Sequence, residues 1–219
     1  MSSRREIIIL ANSAKKGGCC VAGKDIETGE WIRPVSNKDG AELTREQATL
    51  TSSQYTWMAK SLNKVIINFD SRVPQINQPE NFLIDSSAWI PNYKVDRSKL
   101  DELLDNPEHI WMYGPYQDHF KYEYFERGMI VDHQSLYLIK VESIVFTVVS
   151  NASGQKRVKG AFEYKQLEYS FNVTDRAYCK YKNFELGFTF TEHSKYLCLS
   201  LGEKYSLTGH CYKLIAAVI

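Results

Sequence analysis

The feature that most constrains the fold is a two-residue alternation of apolar and polar side chains in the second half of the chain. Every second position in 158–164 is apolar or Gly, and 167–173 alternates in the same way. Side chains two residues apart share one face of a strand, so both segments are predicted to be strands with one wet face. Further strands are predicted at residues 6–11, 19–26, 31–35, 64–73, 136–149, 196–201 and 210–219.

Many short strands with few helices predict a mainly β fold of small barrels. The chain has 219 residues, which is room for two domains of roughly 100 residues. We therefore predict two small OB-like β-barrels with short helices and an irregular acidic connection. The boundaries are 1–130 for a barrel with a helical insertion and the connector, and 131–219 for a second barrel. A capping pair, Thr44 with Gln47, predicts one of the short helices.

The charge of the chain is unevenly distributed. The formal net charge is +1, which excludes a strong global field. Residues 68–132 carry twelve acidic and six basic side chains, whereas residues 156–182 carry seven basic and three acidic ones. The basic segment predicts a site for a polyanion, and the acidic segment is a candidate docking surface for a partner protein. Two solvated surfaces of a near-neutral protein are the alternative.

The sequence predicts a cytoplasmic protein with no membrane segment and no cofactor. No apolar run approaches the ~20 residues that span a bilayer, and the apolar run at 7–10 is too short for a signal peptide. The five cysteines, an odd number, include no CxxC pair, which disfavours a disulfide framework and a structural zinc site. The histidines, which lie at 109, 119, 133, 193 and 210, show no metal-ligand spacing.

Three segments carry a resemblance to a known family. They read IIILANSAKKGGCCVAGKDIETGEWIRPVS, SFNVTD and CLSLGEKYSLTGHCYKLIAAVI. Together they resemble the prokaryotic dual OB-containing domain family, and the resemblance extends from residue 6 to residue 219. It implies two OB-type barrels and a role in nucleic-acid processing or bacterial defence, with no catalytic chemistry to carry over. The family pattern often has Arg where this chain has Cys19.

Two groups of residues in the first half are candidates for nucleic-acid contact. Lys15 and Lys16 lie in a Gly-containing loop, which offers cations and backbone amides to a phosphate. Trp31 and Arg33 lie on one predicted strand, where a base could stack on the indole while the guanidinium contacts the backbone. The alternative is that Trp31 anchors the core and Arg33 covers it.

The basic segment of the second half is the strongest predicted footprint for a single strand. Its cations would neutralise phosphates and its tyrosines would stack on bases. We predict that it binds single-stranded DNA or RNA, or a nucleotide ligand; a charged exterior strand face is the alternative. The residues assigned to it are Lys156, Arg157, Lys159, Tyr164, Lys165, Tyr169, Arg176 and Tyr178.

No complete catalytic motif is present, so an enzyme is not the favoured prediction. Glu163 and Lys165 match the E-x-K part of a metal-dependent nuclease signature, with Asp132 as a possible upstream carboxylate. Cys20 is an alternative nucleophile beside neighbouring lysines. A protein–protein adaptor in a defence complex is the third alternative.

Overall fold

The chain forms two compact units, Met1–Leu103 and Leu104–Ile219. The computed structural model describes residues 3–15, 17–111, 118–130, 134–151 and 153–219, with only the backbone at Lys15. Strands account for 55% of the chain and helices for 9%, so the prediction of a mainly β fold is confirmed.

The first unit is a closed barrel. Its strands are β1 (Ser3–Lys15), β2 (Gly18–Asp25), β3 (Trp31–Val35), β4 (Thr49–Thr51), β5 (Thr56–Met58), β6 (Asn63–Arg72), β7 (Asn81–Ile84) and β8 (Ile90–Lys94). Five of them close in the order β1-β2-β3-β7-β6, because β6 also pairs with β1. The β3–β7 pair is parallel, β8 extends the sheet from β6, and β4 and β5 form a separate hairpin.

The second unit repeats this closure. Its strands are β9 (His119–Lys121), β10 (Leu136–Ser150), β11 (Lys156–Tyr164), β12 (Leu167–Val173), β13 (Thr189–Lys204) and β14 (His210–Val218). Five strands close in the order β12-β11-β10-β13-β14, and the β12–β14 pair is parallel. The short edge strand β9 pairs with β14. Two closed five-stranded barrels confirm the prediction of two OB-like barrels.

Each barrel has its own apolar core, built from the inward positions of its strands. In β1 the run Ile7–Leu10 is buried, as its unbroken apolar sequence requires. In β10–β12 burial alternates along each strand, with Phe146, Phe162 and Phe171 inside. The predicted alternation therefore sets the inner and outer faces of the second barrel.

The helical elements are few and short. They are the 3-10 helices Arg97–Leu103 and Lys180–Asn183 and the α-helices α1 (Glu123–Glu126) and α2 (Arg176–Cys179). Thr44 and Gln47 do exchange backbone-to-side-chain hydrogen bonds of 2.8 and 3.2 Å, but the segment is a turn rather than the predicted helix. None of the helices in the described ranges is long and apolar enough to cross a membrane.

The chain divides into its two compact units between Leu103 and Leu104, whereas the sequence predicted a boundary between residues 130 and 131. The physical reason for the difference is the pairing of β9. His119, Phe120 and Lys121 pair with Tyr212, Cys211 and His210 of β14, and Phe120 and Phe125 lie in the core of the second barrel. The residues of β9 and α1, which the sequence placed with the first barrel, thus pack with the residues that follow them.

Candidate nucleic-acid interface

The candidates of the first half do not form an open stacking face. Trp31 and Arg33 are each only 6% exposed, and Lys24 Nζ lies 5.2 Å from the Trp31 ring centroid. The alternative reading of Trp31 as a buried anchor therefore describes this strand, and base stacking on it is not supported. Lys16 and the Lys15 side chain lie outside the described residues.

The predicted basic footprint of the second half is divided along β11. Lys156 and Arg157 begin the strand and Tyr164 ends it, so Tyr164 is about 26 Å from Lys156 and about 23 Å from Arg157 at ~3.3 Å per residue. At the far end the Tyr164 hydroxyl donates to the Pro107 carbonyl oxygen at 3.3 Å, and Lys165 Nζ lies 3.9 Å from a Glu108 carboxylate oxygen. The predicted set is therefore not one continuous surface.

Two of the predicted tyrosines pack against the core of the second barrel, Tyr169 fully buried and Tyr178 half-buried. Tyr169 is 2% exposed, and its hydroxyl accepts a hydrogen bond from the Ile110 amide at 3.3 Å. The Tyr178 hydroxyl donates to Glu192 at 2.8 Å, and burial together with this carboxylate raises the pKa of Tyr178. The buried Tyr169 ring is not available to stack on a base, which corrects its assignment as a stacking residue. Tyr178 is half-buried with its ring stacked on Phe146 at 4.8 Å, and its assignment stays a prediction.

The structure does gather cations around the start of β11 and α2. Arg157, Arg176 and Lys182 all lie close enough to the Cys179 thiol to lower its pKa, although burial is the larger effect and raises it. Lys156 Nζ donates to the Phe184 carbonyl oxygen at 2.8 Å. Lys156, Arg157 and Lys182 are exposed, so their charges face solvent beside the segment that follows the second 3-10 helix.

That segment carries an exposed apolar patch. Phe184, Leu186 and Phe188 are 47%, 57% and 37% exposed. The Phe184 and Phe188 rings are stacked, with centroids 4.6 Å apart and planes within 16°. We name the exposed surface formed by Lys156, Arg157, Lys180, Lys182, Phe184, Leu186 and Phe188 the aromatic–basic surface.

A ladder of aromatic rings holds the exposed pair in place. Tyr181 stacks on Phe184 at 5.7 Å and contacts Phe190 at 4.5 Å, and Phe190 stacks on Phe146 at 4.9 Å. Phe146 is fully buried in the barrel core. The backbone adds support, because the Val148 amide donates to the Phe188 carbonyl oxygen at 2.9 Å. The exposed rings are therefore supported by packing that reaches the barrel core.

The sequence prediction missed Phe184, Leu186 and Phe188. A signal was present, because Tyr181 lies between the lysines at 180 and 182 and three more aromatic residues (Phe184, Phe188 and Phe190) follow them. Phe184, Leu186, Phe188 and Phe190 also stand at every second position, but this alternation alone does not show which side of the segment faces solvent. The ring ladder sets the outward orientation.

The position of Lys165 does not support the nuclease alternative. This residue has left β11 and adopts a positive φ of 48° in the turn before β12, so it does not share a strand face with Glu163. Glu163 instead lies opposite Glu168 of β12. Asp132 lies outside the described residues. Within the described ranges, no cluster of three or more His, Cys, Asp or Glu side chains could hold a metal ion.

The sequence profile of the dual OB-containing domain family matches residues 5–218. No curated protein matches the chain.

Solved structures give weak likenesses over nearly the whole chain. The tetrameric p202 HIN2 is 9% identical with a TM-score of 0.31, covering 100% of this chain and 93% of that one. A murine DNA-binding protein bound to double-stranded DNA is 11% identical with a TM-score of 0.33, covering 99% and 98%. The Ifi202 HINa domain in complex with a 20-base-pair double-stranded DNA is 11% identical with a TM-score of 0.29, covering 98% and 94%. At these TM-scores the likeness carries no argument about this chain.

Proposed function

Since the chain belongs to the dual OB-containing domain family, we propose that it binds single-stranded nucleic acid through the aromatic–basic surface of its second barrel. The single observation that carries the proposal is the exposed, stacked pair of Phe184 and Phe188 among exposed cations. OB barrels commonly bind oligonucleotides across their second and third strands and the adjoining loops, and β11 is the second strand of this barrel.

The chemistry of the surface favours a single strand over a duplex. An exposed phenylalanine face accepts a base only when that base is unpaired and unstacked. The cations of the surface, which are Lys156, Arg157, Lys180 and Lys182, can follow the phosphates on either side of such a base. Because the rings are already held by Tyr181 and Phe190, stacking costs little further ordering.

Replacing Phe184 with alanine is expected to weaken binding of single-stranded DNA or RNA by about 5- to 100-fold. The reason is the loss of one stacking face, since base–aromatic stacking contributes roughly 1–3 kcal/mol per base. Fluorescence anisotropy with labelled single-stranded oligonucleotides of both kinds, at about 50 mM salt, measures the change. Tyr55→Ala is the matched control, because Tyr55 is 71% exposed in the first unit and lies outside the surface.

Absence of binding by the unmodified protein under these conditions would remove the proposed function. Equal losses in Phe184→Ala and Tyr55→Ala would remove the assignment to this surface while leaving binding itself in place.

Neutralising the lysines of the surface is expected to change the salt dependence rather than the stacking. Lys156→Gln and Lys182→Gln should each reduce the slope of log affinity against log salt by about 0.7, the value for one phosphate contact on a single strand. Lys38→Gln serves as the control at an exposed lysine of the first unit. An unchanged slope in both surface variants would mean that these lysines do not contact phosphate.

The remaining functional predictions have less support. The acidic segment proposed to dock a partner protein is divided between the two compact units, since residues 68–103 belong to the first and 104–132 to the second. Cys20, the alternative nucleophile, is half-buried and lies opposite Ser13 of β1. This position does not add support for a catalytic role of Cys20. A role in bacterial nucleic-acid processing or defence rests on the family resemblance alone. The five free cysteines support the proposed cytoplasmic location.

A further inference from the structure

A pair of stacked histidines lies where β9 meets β14. The rings of His119 and His210 are nearly parallel, with centroids 4.1 Å apart and planes within 17°. Both residues are partly exposed, and they adjoin the loop 205–209, where Tyr205 and Leu207 are exposed. Two neutral imidazoles tolerate this stacking, whereas two imidazolium ions at this separation repel each other.

One carboxylate fixes the orientation of the pair. Asp118 Oδ1 lies 2.9 Å from His119 Nδ1, and Asp118 Oδ2 lies 3.5 Å from Lys159 Nζ. Because an ionised carboxylate only accepts hydrogen bonds, His119 Nδ1 is the donor, and the Nε2 atom of neutral His119 is the ring's acceptor. The contacts with His119 and Lys159 hold the pKa of Asp118 below its usual range despite burial.

The groups around the pair carry more positive than negative charge. Burial lowers the pKa of His210 most, with His119 and Lys121 acting in the same direction and Asp118 opposing them. The Lys213 ammonium on β14 is a further cation influenced by Asp118. Lys204, before the loop, lies 3.9 Å from a Glu126 carboxylate oxygen, so that carboxylate has a cation of its own. Protonation of the pair therefore adds a charge that Asp118 alone does not balance.

The pair is also connected to the aromatic–basic surface through β11. Arg157 and Lys159 are two residues apart on one face of that strand, about 7 Å from each other. Lys159 therefore follows the cations of the aromatic–basic surface along β11. Its ammonium and the His119 ring both contact the Asp118 carboxylate.

We infer that the stacked histidines are a second contact for a nucleic-acid phosphate, and that the phosphate binds as the pair takes up a proton. The phosphate supplies the counter-charge that the site lacks, so ligand binding and protonation favour each other. The inference rests on the proposed function, because the ligand is the same single strand.

The test is the pH dependence of binding at constant ionic strength. The intact protein should bind single-stranded DNA about tenfold more tightly at pH ~5.5 than at pH ~7.5. This lies within the limit of about 100-fold that the uptake of one proton sets over two pH units. The double variant His119→Gln/His210→Gln should lose this dependence. His193→Gln, at an exposed histidine of β13, is the control and should keep it.

A second measurement separates this inference from the proposed function. The NMR titration of the imidazole C–H resonances, with and without pyrophosphate, reports the site without any nucleic acid. A raised titration midpoint for His210 supports the anion contact even if no oligonucleotide binds. Unchanged pH dependence of DNA binding in the double variant overturns the inference and leaves the proposed function standing.

Discussion

Replacing Gly23 with alanine is expected to lower the free energy of unfolding of the first barrel by about 3 kcal/mol, the upper range for overpacking a core. Gly23 lies opposite Ile9, beside the register shift between Ile9 and Ala11 in the β1–β2 pair. A Cβ at this position would lie 3.0 Å from the Ile8 carbonyl carbon and 3.1 Å from the Ile9 Cα, and closer still to the Ile8 carbonyl oxygen. Backbone atoms cannot move aside as the end of a flexible side chain can.

Hydrogen exchange on the full chain measures the effect barrel by barrel, because it reports the free energy of opening for each peptide. Peptides of β1 and β2 should exchange faster in Gly23→Ala. Gly202→Ala is the matched control, since its added Cβ would meet its nearest neighbour at 3.4 Å, an ordinary contact. Equal protection of β1 and β2 in both variants would contradict the close approach at Gly23.

Replacing Lys213 with methionine is expected to stabilise the second barrel by about 2 kcal/mol at pH 7, within the range found when buried charges are replaced by apolar residues. Lys213 is fully buried in β14, with its Nζ atom 4.5 Å from the Phe120 ring centroid. Burial lowers the pKa of Lys213 to about 8. Methionine fills a similar unbranched volume without the cost of burying an ammonium.

The same residue predicts a dependence of stability on pH. The folded barrel releases the Lys213 proton near pH 8, whereas the unfolded chain keeps it up to its ordinary pKa of 10.5. Between these values the unfolded state binds more protons, so the stability of the unmodified protein rises with pH, by about 3 kcal/mol in all. Lys213→Met should lack this rise, and denaturant unfolding at pH 7 and pH 10 would show it.

Lys140→Met is the control for this series, because Lys140 is an exposed lysine of the same barrel. Its stability should change by less than about 0.5 kcal/mol, as is usual for a surface substitution. A destabilised Lys213→Met variant would show that the ammonium's contacts in the core outweigh the cost of burying it.

Sequence patterns predicted the barrels because the inner and outer faces of a strand are determined by residues that are neighbours in the sequence. The alternation in β11 and β12 depends only on which side chains face the core, and that requirement is visible in neighbouring residues. Lys213 illustrates the limit, since a single lysine in an apolar run gives no sign of whether its side chain turns inward. The boundary between the units was also hidden, because the pairing of β9 with β14 joins residues far apart in sequence.

The candidate site was less predictable than the fold. Basic residues of one segment were expected to act together, but an extended strand separates Lys156 from Tyr164 by its own length. The exposed rings of Phe184 and Phe188 became visible only through their stacking on Tyr181 and Phe190. Apolar residues alternate at 184, 186, 188 and 190 in the sequence, but whether their side chains face the core or solvent depends on tertiary contacts.

The closure of the second barrel has a consequence for its motions. β10 pairs with β13 from Leu136 to Thr147, whereas the β12–β14 ladder covers Asn172–Val173 and Leu214–Ile215. Two further bonds follow it, from the Thr174 amide to the Ile215 carbonyl oxygen and from the Val218 amide to Asp175. Few hydrogen bonds must break to part the cylinder along that parallel seam, and a region with few bonds opens at the lowest free energy. We expect local opening of the barrel to begin at the β12–β14 pair, while β10 and β13 remain hydrogen-bonded to each other.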